Sequence, residues 1–84
     1  MVDEKNMTDQ QNITLTITKD EALVLFEFLA RFNNTDHPGI FEDQAEQRIL
    51  WDIECLLEQQ LAEPFRSDYL SLLDEARNKI RDKE

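Results

Sequence analysis

The sequence predicts a mainly α-helical fold, a three-helix bundle with one N-terminal β-strand that pairs between chains. Three observations lead to this prediction. Residues 12–18 alternate polar and apolar side chains strictly, which is typical of a half-buried strand. Every later segment repeats its apolar residues at the helical spacing of three or four. A lone strand leaves its backbone N–H and C=O groups unpaired, so it needs a partner strand from outside the chain.

The chain of 84 residues has the length of one domain. Residues 1–11 hold too few apolar side chains to offset the cost of ordering, which predicts a disordered N-terminal lead before a single helical domain at 12–84. The only cysteine, Cys55, excludes an internal disulfide. No apolar run resembles a signal peptide or reaches membrane-spanning length, so we expect a cytoplasmic protein with no membrane contact.

The predicted strand at 12–18 presents Ile13, Leu15 and Ile17 on one side. Pairing with its own copy across a twofold axis would give a homodimer, because symmetric dimers are the most frequent oligomers. Two alternatives stay open. The segment could add to the sheet edge of another protein, or it could lie flat against the first helix or extend loosely from the lead.

The first helix is predicted over residues 19–33. It begins with a capping box, in which Thr18 is the N-cap and Glu21 follows three residues later. Its apolar residues occupy so much of its circumference that we expect other elements to contact it from more than one direction. It is therefore the predicted central helix.

The second helix is predicted over residues 42–62, bounded by Pro64, and the third over residues 68–81. Short connectors join the helices, which favours a bundle of antiparallel neighbours. The predicted buried stripe of the second helix consists of Ala45, Ile49, Ile53, Leu56 and Leu57, with Leu50 and Leu61 at its edge.

The chain is strongly acidic, with 19 acidic and 9 basic residues and a net charge of −10. Most of the excess lies in residues 36–63, where eight acids stand against one base, Arg48. Such a charge repels nucleic acid and anionic membranes and attracts basic protein surfaces. We therefore expect a basic protein as a partner and no binding of nucleic acid.

The residue types needed for a cofactor or metal site are scarce. One histidine, one cysteine and one glycine provide neither a zinc pattern nor a phosphate-binding loop, so we expect no cofactor and no metal. Cys55 with His37 as base is a poor catalytic pair, because Glu54 and Glu58 disfavour the reactive thiolate. Those two carboxylates lie on a predicted open helix face, which is typical of a solvated surface. The prediction is a protein that is not an enzyme.

Trp51 lies outside the apolar stripe of the second helix, among polar residues. Tryptophan is enriched at binding hot spots, and nearby carboxylates could guide a basic partner. The predicted partner-binding residues are Trp51, Gln47, Glu54 and Glu58. The alternative is that the third helix, the N-terminal strand or the other copy in a dimer covers the indole.

The second helix also carries a resemblance. Its segment Glu46-x-Arg48-x-Leu50-Trp51-Asp52-x-Glu54-x-x-Leu57-Glu58, followed by Pro64, Phe65 and Tyr69, resembles a group of small uncharacterised bacterial helical proteins. The stretch from Glu21 to Phe26 extends the likeness over most of residues 13–80. This resemblance implies a helical fold and brings no activity.

These observations favour a non-catalytic acidic protein-binding module, such as an inhibitor or immunity-type protein for a basic partner. In composition the chain is similar to bacterial immunity proteins and antitoxins, which are also small, acidic and helical. The alternative is a structural or assembly protein whose strand and helix edges form a homodimer.

Overall fold

The structure is a computed structural model that describes residues 11–82. This part of the chain forms the helices α1 (Lys19–Asn33), α2 (Gln44–Gln60) and α3 (Tyr69–Arg81), with a 3₁₀ turn at Glu63–Phe65 between α2 and α3. The helices pack against one another as predicted, and α1 contacts both α2 and α3. The central position of α1 is therefore confirmed.

The capping box fixes the start of α1. The Thr18 hydroxyl oxygen accepts a hydrogen bond from the Glu21 N–H at 3.0 Å, and the Thr18 N–H donates to the Glu21 carboxylate at 2.9 Å. Two orphan donors of the first turn are satisfied in this way. Four side chains of α1 are buried: Ala22, Leu23, Phe26 and Leu29.

α3 runs antiparallel to α1. The Tyr69 hydroxyl at its start donates to the Glu27 carboxylate at 2.9 Å, and Lys79 near its end lies 3.9 Å from Asp20. Burial of the phenol, then its hydrogen bond to Glu27, raises the pKa of Tyr69 to about 12. Leu73 and Ala76 are fully buried against α1.

The predicted stripe of α2 is only partly buried, and this is a correction. No side chain of α2 is fully buried, and three members of the stripe, Ala45, Ile49 and Leu56, are exposed. The half-buried side of the helix is instead formed by Gln47, Leu50, Ile53, Glu54 and Leu57. The helix is rotated relative to the predicted stripe, so that one edge of its apolar arc (Leu50, Ile53 and Leu57) faces inward together with Gln47 and Glu54.

α2 is also shorter than the predicted range of 42–62. Asp43 has extended backbone and acts as the N-cap, where its carboxylate accepts a hydrogen bond from the Ala45 N–H at 2.7 Å. At the other end Leu61 is again extended and only 5% exposed. The core cluster joins Leu61 to residues of α1 and α3: Ala22, Leu23, Phe26 and Ala76.

An ion pair joins the chain segment after α2 to the start of α1. The Lys19 ammonium lies 2.8 Å from a Glu63 carboxylate oxygen. This hydrogen bond holds the pKa of Glu63 below its ordinary value. The contact ties the 3₁₀ turn to the first residue of α1.

Residues 11–18 form no strand within the chain. Among residues 11–82, no hydrogen bond involves the backbone of residues 12–17. Ile13 is 87% exposed and Leu15 82% exposed, while Ile17 is 44% exposed. The described part of the chain offers no second strand, so strand pairing between chains stays a prediction. The predicted disordered lead lies outside the described residues, except for Gln11.

Candidate protein-interaction surface

Trp51 lies on the outer side of α2. Trp51 is 41% exposed, so residues 11–82 do not bury the indole. Glu58 is two turns further along the same side and is exposed. Its carboxylate has no hydrogen bond or ion pair among residues 11–82. Trp51 and Glu58 therefore form an accessible pair.

Glu54 has a different environment from the predicted open face. Its carboxylate is half-buried and accepts a hydrogen bond from Asn33 Nδ2 at 2.8 Å, and the same amide also donates to the Leu50 carbonyl at 3.3 Å. Asn33 Oδ1 is buried with no partner in the described chain. Glu54 thus joins α2 to the end of α1.

Gln47 is half-buried on the same inner flank of α2. It lines a shallow pocket of about 270 Å³ with the connector between α1 and α2, including His37 and Phe41. Of the four predicted partner-binding residues, the structure leaves Trp51 and Glu58 exposed on the outer side of α2. It places Gln47 and Glu54 toward α1.

A second accessible feature of α2 lies about 140° around the helix axis from Trp51. We define the α2 stripe as Ala45, Ile49, Asp52 and Leu56, which follow one another at spacings of four, three and four. Ile49 is 51% exposed and Leu56 is 60% exposed. Sequence reasoning assigned the three apolar members to the core, so it missed them as a surface. The sequence signal for this surface was Asp52, a charged residue within the row of apolar side chains.

A groove runs between α1 and α3 and was also missed. It has a volume of about 440 Å³, and its apolar lining includes Leu25 and Phe28, which are 38% and 47% exposed. The sequence signal for this groove was that apolar residues surround α1, because α2 and α3 cover only two sides of that helix. We define the α1–α3 groove by its lining residues Glu21, Val24, Leu25, Phe28, Arg31, Arg77 and Ile80.

An aromatic cluster ends α1. The rings of Phe32 and His37 stack with centroids 3.8 Å apart, and His37 Nε2 lies 2.8 Å from the Phe32 carbonyl, to which it donates as the N–H tautomer. Phe28 stacks on Phe32 at 5.6 Å, and Phe41 meets it edge-on at 6.0 Å. His37 therefore holds the connector against α1.

Residues 15–18 approach the far end of α2. Together with Leu57, Gln60 and Leu61 they line a shallow pocket of about 450 Å³. The exposed side of this segment is thus close to the C-terminal turn of α2. The predicted strand residues and α2 contribute to one side of the molecule.

Cys55 is exposed on α2 as a free thiol. Within residues 11–82, no group of three or more histidine, cysteine or acidic side chains is arranged to hold a metal ion. None of the described helices has the length and apolar character needed to cross a membrane. Comparison with protein-family models, curated proteins and solved structures finds no match to this chain.

Proposed function

We propose that this chain is a non-catalytic protein-binding module and that the outer side of α2 is its binding surface. One observation carries the proposal: a helix of 17 residues buries none of its side chains fully and leaves a tryptophan accessible. Accessible large apolar side chains within a polar rim are typical of interaction sites. Tryptophan is also among the residues most enriched at binding hot spots.

The charge of the surface favours a basic partner. Glu58 is accessible beside Trp51, and the chain carries a net charge of −10. Complementary charge speeds the encounter with a basic protein and disfavours acidic proteins. An indole that becomes buried against the partner slows dissociation of the complex. An acidic module that covers a basic surface in this way would act as an inhibitor or immunity-type protein. The same net charge argues against nucleic acid as the target.

The test is capture of basic proteins on the immobilised chain, with Trp51→Ala and Glu58→Lys as a double variant. We expect a captured protein to be lost from the double variant, and its association rate with the unmodified chain to fall as salt rises. Phe65→Ala is the matched control, because Phe65 is 72% exposed and lies in the 3₁₀ turn. Equal capture by the double variant and the control would contradict the proposal.

A second candidate function is assembly through residues 12–17. The observation that favours it is that the backbone of this segment makes no hydrogen bond to residues 11–82, together with the exposure of Ile13 and Leu15. Residues 10–18 also form the longest run of uncharged residues in the chain. Two copies could therefore pair there without like-charge repulsion.

This second candidate is tested by Leu15→Pro, which removes a ladder donor from a paired strand. At a low concentration at which the unmodified chain has a mass of twice 10.0 kDa, we expect a mass of 10.0 kDa for the variant, measured by light scattering. Gln11→Pro, just before the segment, is the control. A Leu15→Pro chain that is still dimeric at that low concentration would show that residues 12–17 are not the interface of this dimer.

A cytoplasmic setting is part of the proposal. It is supported by Cys55, an exposed thiol with no cysteine partner in the sequence. Exposed free thiols persist in reducing compartments and become oxidised or cross-linked elsewhere.

A further inference from the structure

The α2 stripe has the form of a helix that binds in a groove. Its members recur at helical spacing, which is how an amphipathic helix presents its contacts to a partner. An acid, Asp52, lies between the exposed apolar residues Ile49 and Leu56. The Asp52 carboxylate makes no hydrogen bond or ion pair within residues 11–82. A partner that covers this stripe must therefore supply a cation to Asp52.

The α1–α3 groove has complementary properties. Its apolar lining, which includes Leu25 and Phe28, lies on the side of α1 that neither α2 nor α3 covers. Arg31 and Arg77 also line it, and the Arg31 guanidinium lies 5.7 Å from the centre of the Phe28 ring. Glu21 lines the groove too, and its carboxylate accepts a hydrogen bond from the Thr18 N–H. Two guanidinium groups against one carboxylate leave the lining net positive, which suits an apolar segment that carries a carboxylate.

The two arginines of the groove, like Arg48 of α2, have no carboxylate partner among residues 11–82. The basic residues that form ion pairs in the described chain are Lys19, Arg66, Lys79 and Arg81. Arg31 and Arg77 form none there, although the chain has ten more acidic than basic residues. Their charge is therefore available to an acid from outside the chain.

We propose that the α2 stripe of one copy docks in the α1–α3 groove of a second copy. Ile49 and Leu56 would contact the apolar lining, and the Asp52 carboxylate would pair with Arg31 or Arg77. The occupant is a second copy because the chain itself carries the acidic, apolar helix face that this groove fits. Two copies that exchange this contact reciprocally form a closed symmetric dimer, the most frequent kind of oligomer.

This contact is independent of the proposed function. It uses the side of α2 that lies away from Trp51, and it involves neither Glu58 nor residues 12–17. A copy in such a dimer keeps Trp51 available to a basic partner. Failure of one proposal therefore leaves the other standing.

The experiment measures molar mass by light scattering over a concentration series, in the Leu15→Pro background so that residues 12–17 cannot supply the association. We expect this chain to reach twice 10.0 kDa as its concentration rises. Asp52→Arg, and separately Arg31→Glu with Arg77→Glu, should each weaken self-association at least about tenfold. Circular dichroism checks that each variant keeps its helical content.

Mixing is the decisive step. Asp52→Arg damages the stripe and spares the groove, whereas the paired arginine changes damage the groove and spare the stripe. An equimolar mixture of the two variants should associate, because one undamaged stripe then meets one undamaged groove. Arg66→Glu with Arg81→Glu is the control, since it changes the net charge equally but lies outside both surfaces.

Three outcomes would overturn the proposal. The first is a Leu15→Pro chain that stays at 10.0 kDa up to its solubility limit. The second is a mixture that associates no better than its two components. The third is a control pair that weakens association as much as the groove variant, because a general charge effect would then explain the loss.

Discussion

α2 and α3 both pack on α1, but they are held there differently. α3 has 13 residues and buries Leu73 and Ala76 fully, whereas α2 has 17 residues and buries none. α2 is attached by half-buried contacts and by the hydrogen bonds from Asn33. The longer helix is therefore the one with the smaller share in the core.

This difference shows that the apolar content of a helix does not decide how strongly it is held. The free energy gained by burial follows the area removed from water. Ile49 and Leu56 keep more than half of their exposure, so they add little to stability. These side chains instead leave apolar surface accessible on α2, whereas α3 supports the core.

The largest effect should come from the core of α3. Leu73→Ala removes a side chain that is 2% exposed and leaves a cavity, so we expect a loss of about 3 kcal/mol in the free energy of unfolding. The same change in α2, Leu56→Ala, should cost less than about 0.5 kcal/mol, because Leu56 is 60% exposed. Urea unfolding followed by circular dichroism measures both. Similar losses of unfolding free energy for the two variants would contradict the difference between α2 and α3.

A smaller effect should separate α2 from the rest of the bundle. Asn33→Ala removes the two hydrogen bonds that Asn33 Nδ2 donates to α2, one to the Leu50 carbonyl and one to the Glu54 carboxylate. We expect a loss of about 1–2 kcal/mol and faster amide hydrogen exchange in α2, with exchange in α3 unchanged.

Asn34→Ala is the matched control for this prediction. It is the next residue, is exposed, and has no side-chain hydrogen bond in the described chain. If Asn33→Ala accelerated exchange in α2 and α3 alike, the two helices would be coupled more tightly than the packing indicates.

The smallest effect should appear as a pH dependence on the α3 side. The pKa of Tyr69 is raised to about 12 from its ordinary value near 10, because burial and Glu27 disfavour the phenolate. The folded state therefore holds this proton more tightly than the unfolded state does. The resulting stabilisation is complete below pH 10 and is lost as the pH rises toward 12.

Tyr69→Phe tests this assignment. The variant should lose about 1 kcal/mol near neutral pH and should show a smaller decline in stability between about pH 10 and pH 12 than the unmodified chain. Phenolate absorbance of the folded chain gives an independent measurement. A Tyr69 phenol that ionises with the ordinary pKa near 10 would contradict a half-buried hydroxyl that is hydrogen-bonded to Glu27.

The start of α1 and the central place of that helix were predictable because their causes are local. The Thr18 capping box fixes the first turn, and the apolar circumference of α1 demands two neighbours. The rotation of α2 was not predictable in the same way. Its wheel shows an apolar arc, but the part of the arc that faces inward depends on Asn33, which is distant in sequence and bonds to Glu54.

The candidate surfaces follow the same rule. The position of Trp51 outside the apolar arc was predictable, but whether another element covers the indole was not, and the structure leaves the residue 41% exposed. The α1–α3 groove was not, since it exists only where two helices meet. The strand-like pattern of residues 12–18 predicts what this segment would do beside another strand, and the described chain contains no such strand.

The hydrogen-bonded turn at Thr18 has a consequence for residues 12–17. Because the Thr18 N–H and hydroxyl are both bonded to Glu21, the chain leaves the first turn of α1 along a set direction. A segment attached to a rigid base has fewer orientations to lose when it meets another molecule. If residues 12–17 pair with another molecule, the capping box would lower the entropy cost of that association, because it fixes the point from which they leave the helix.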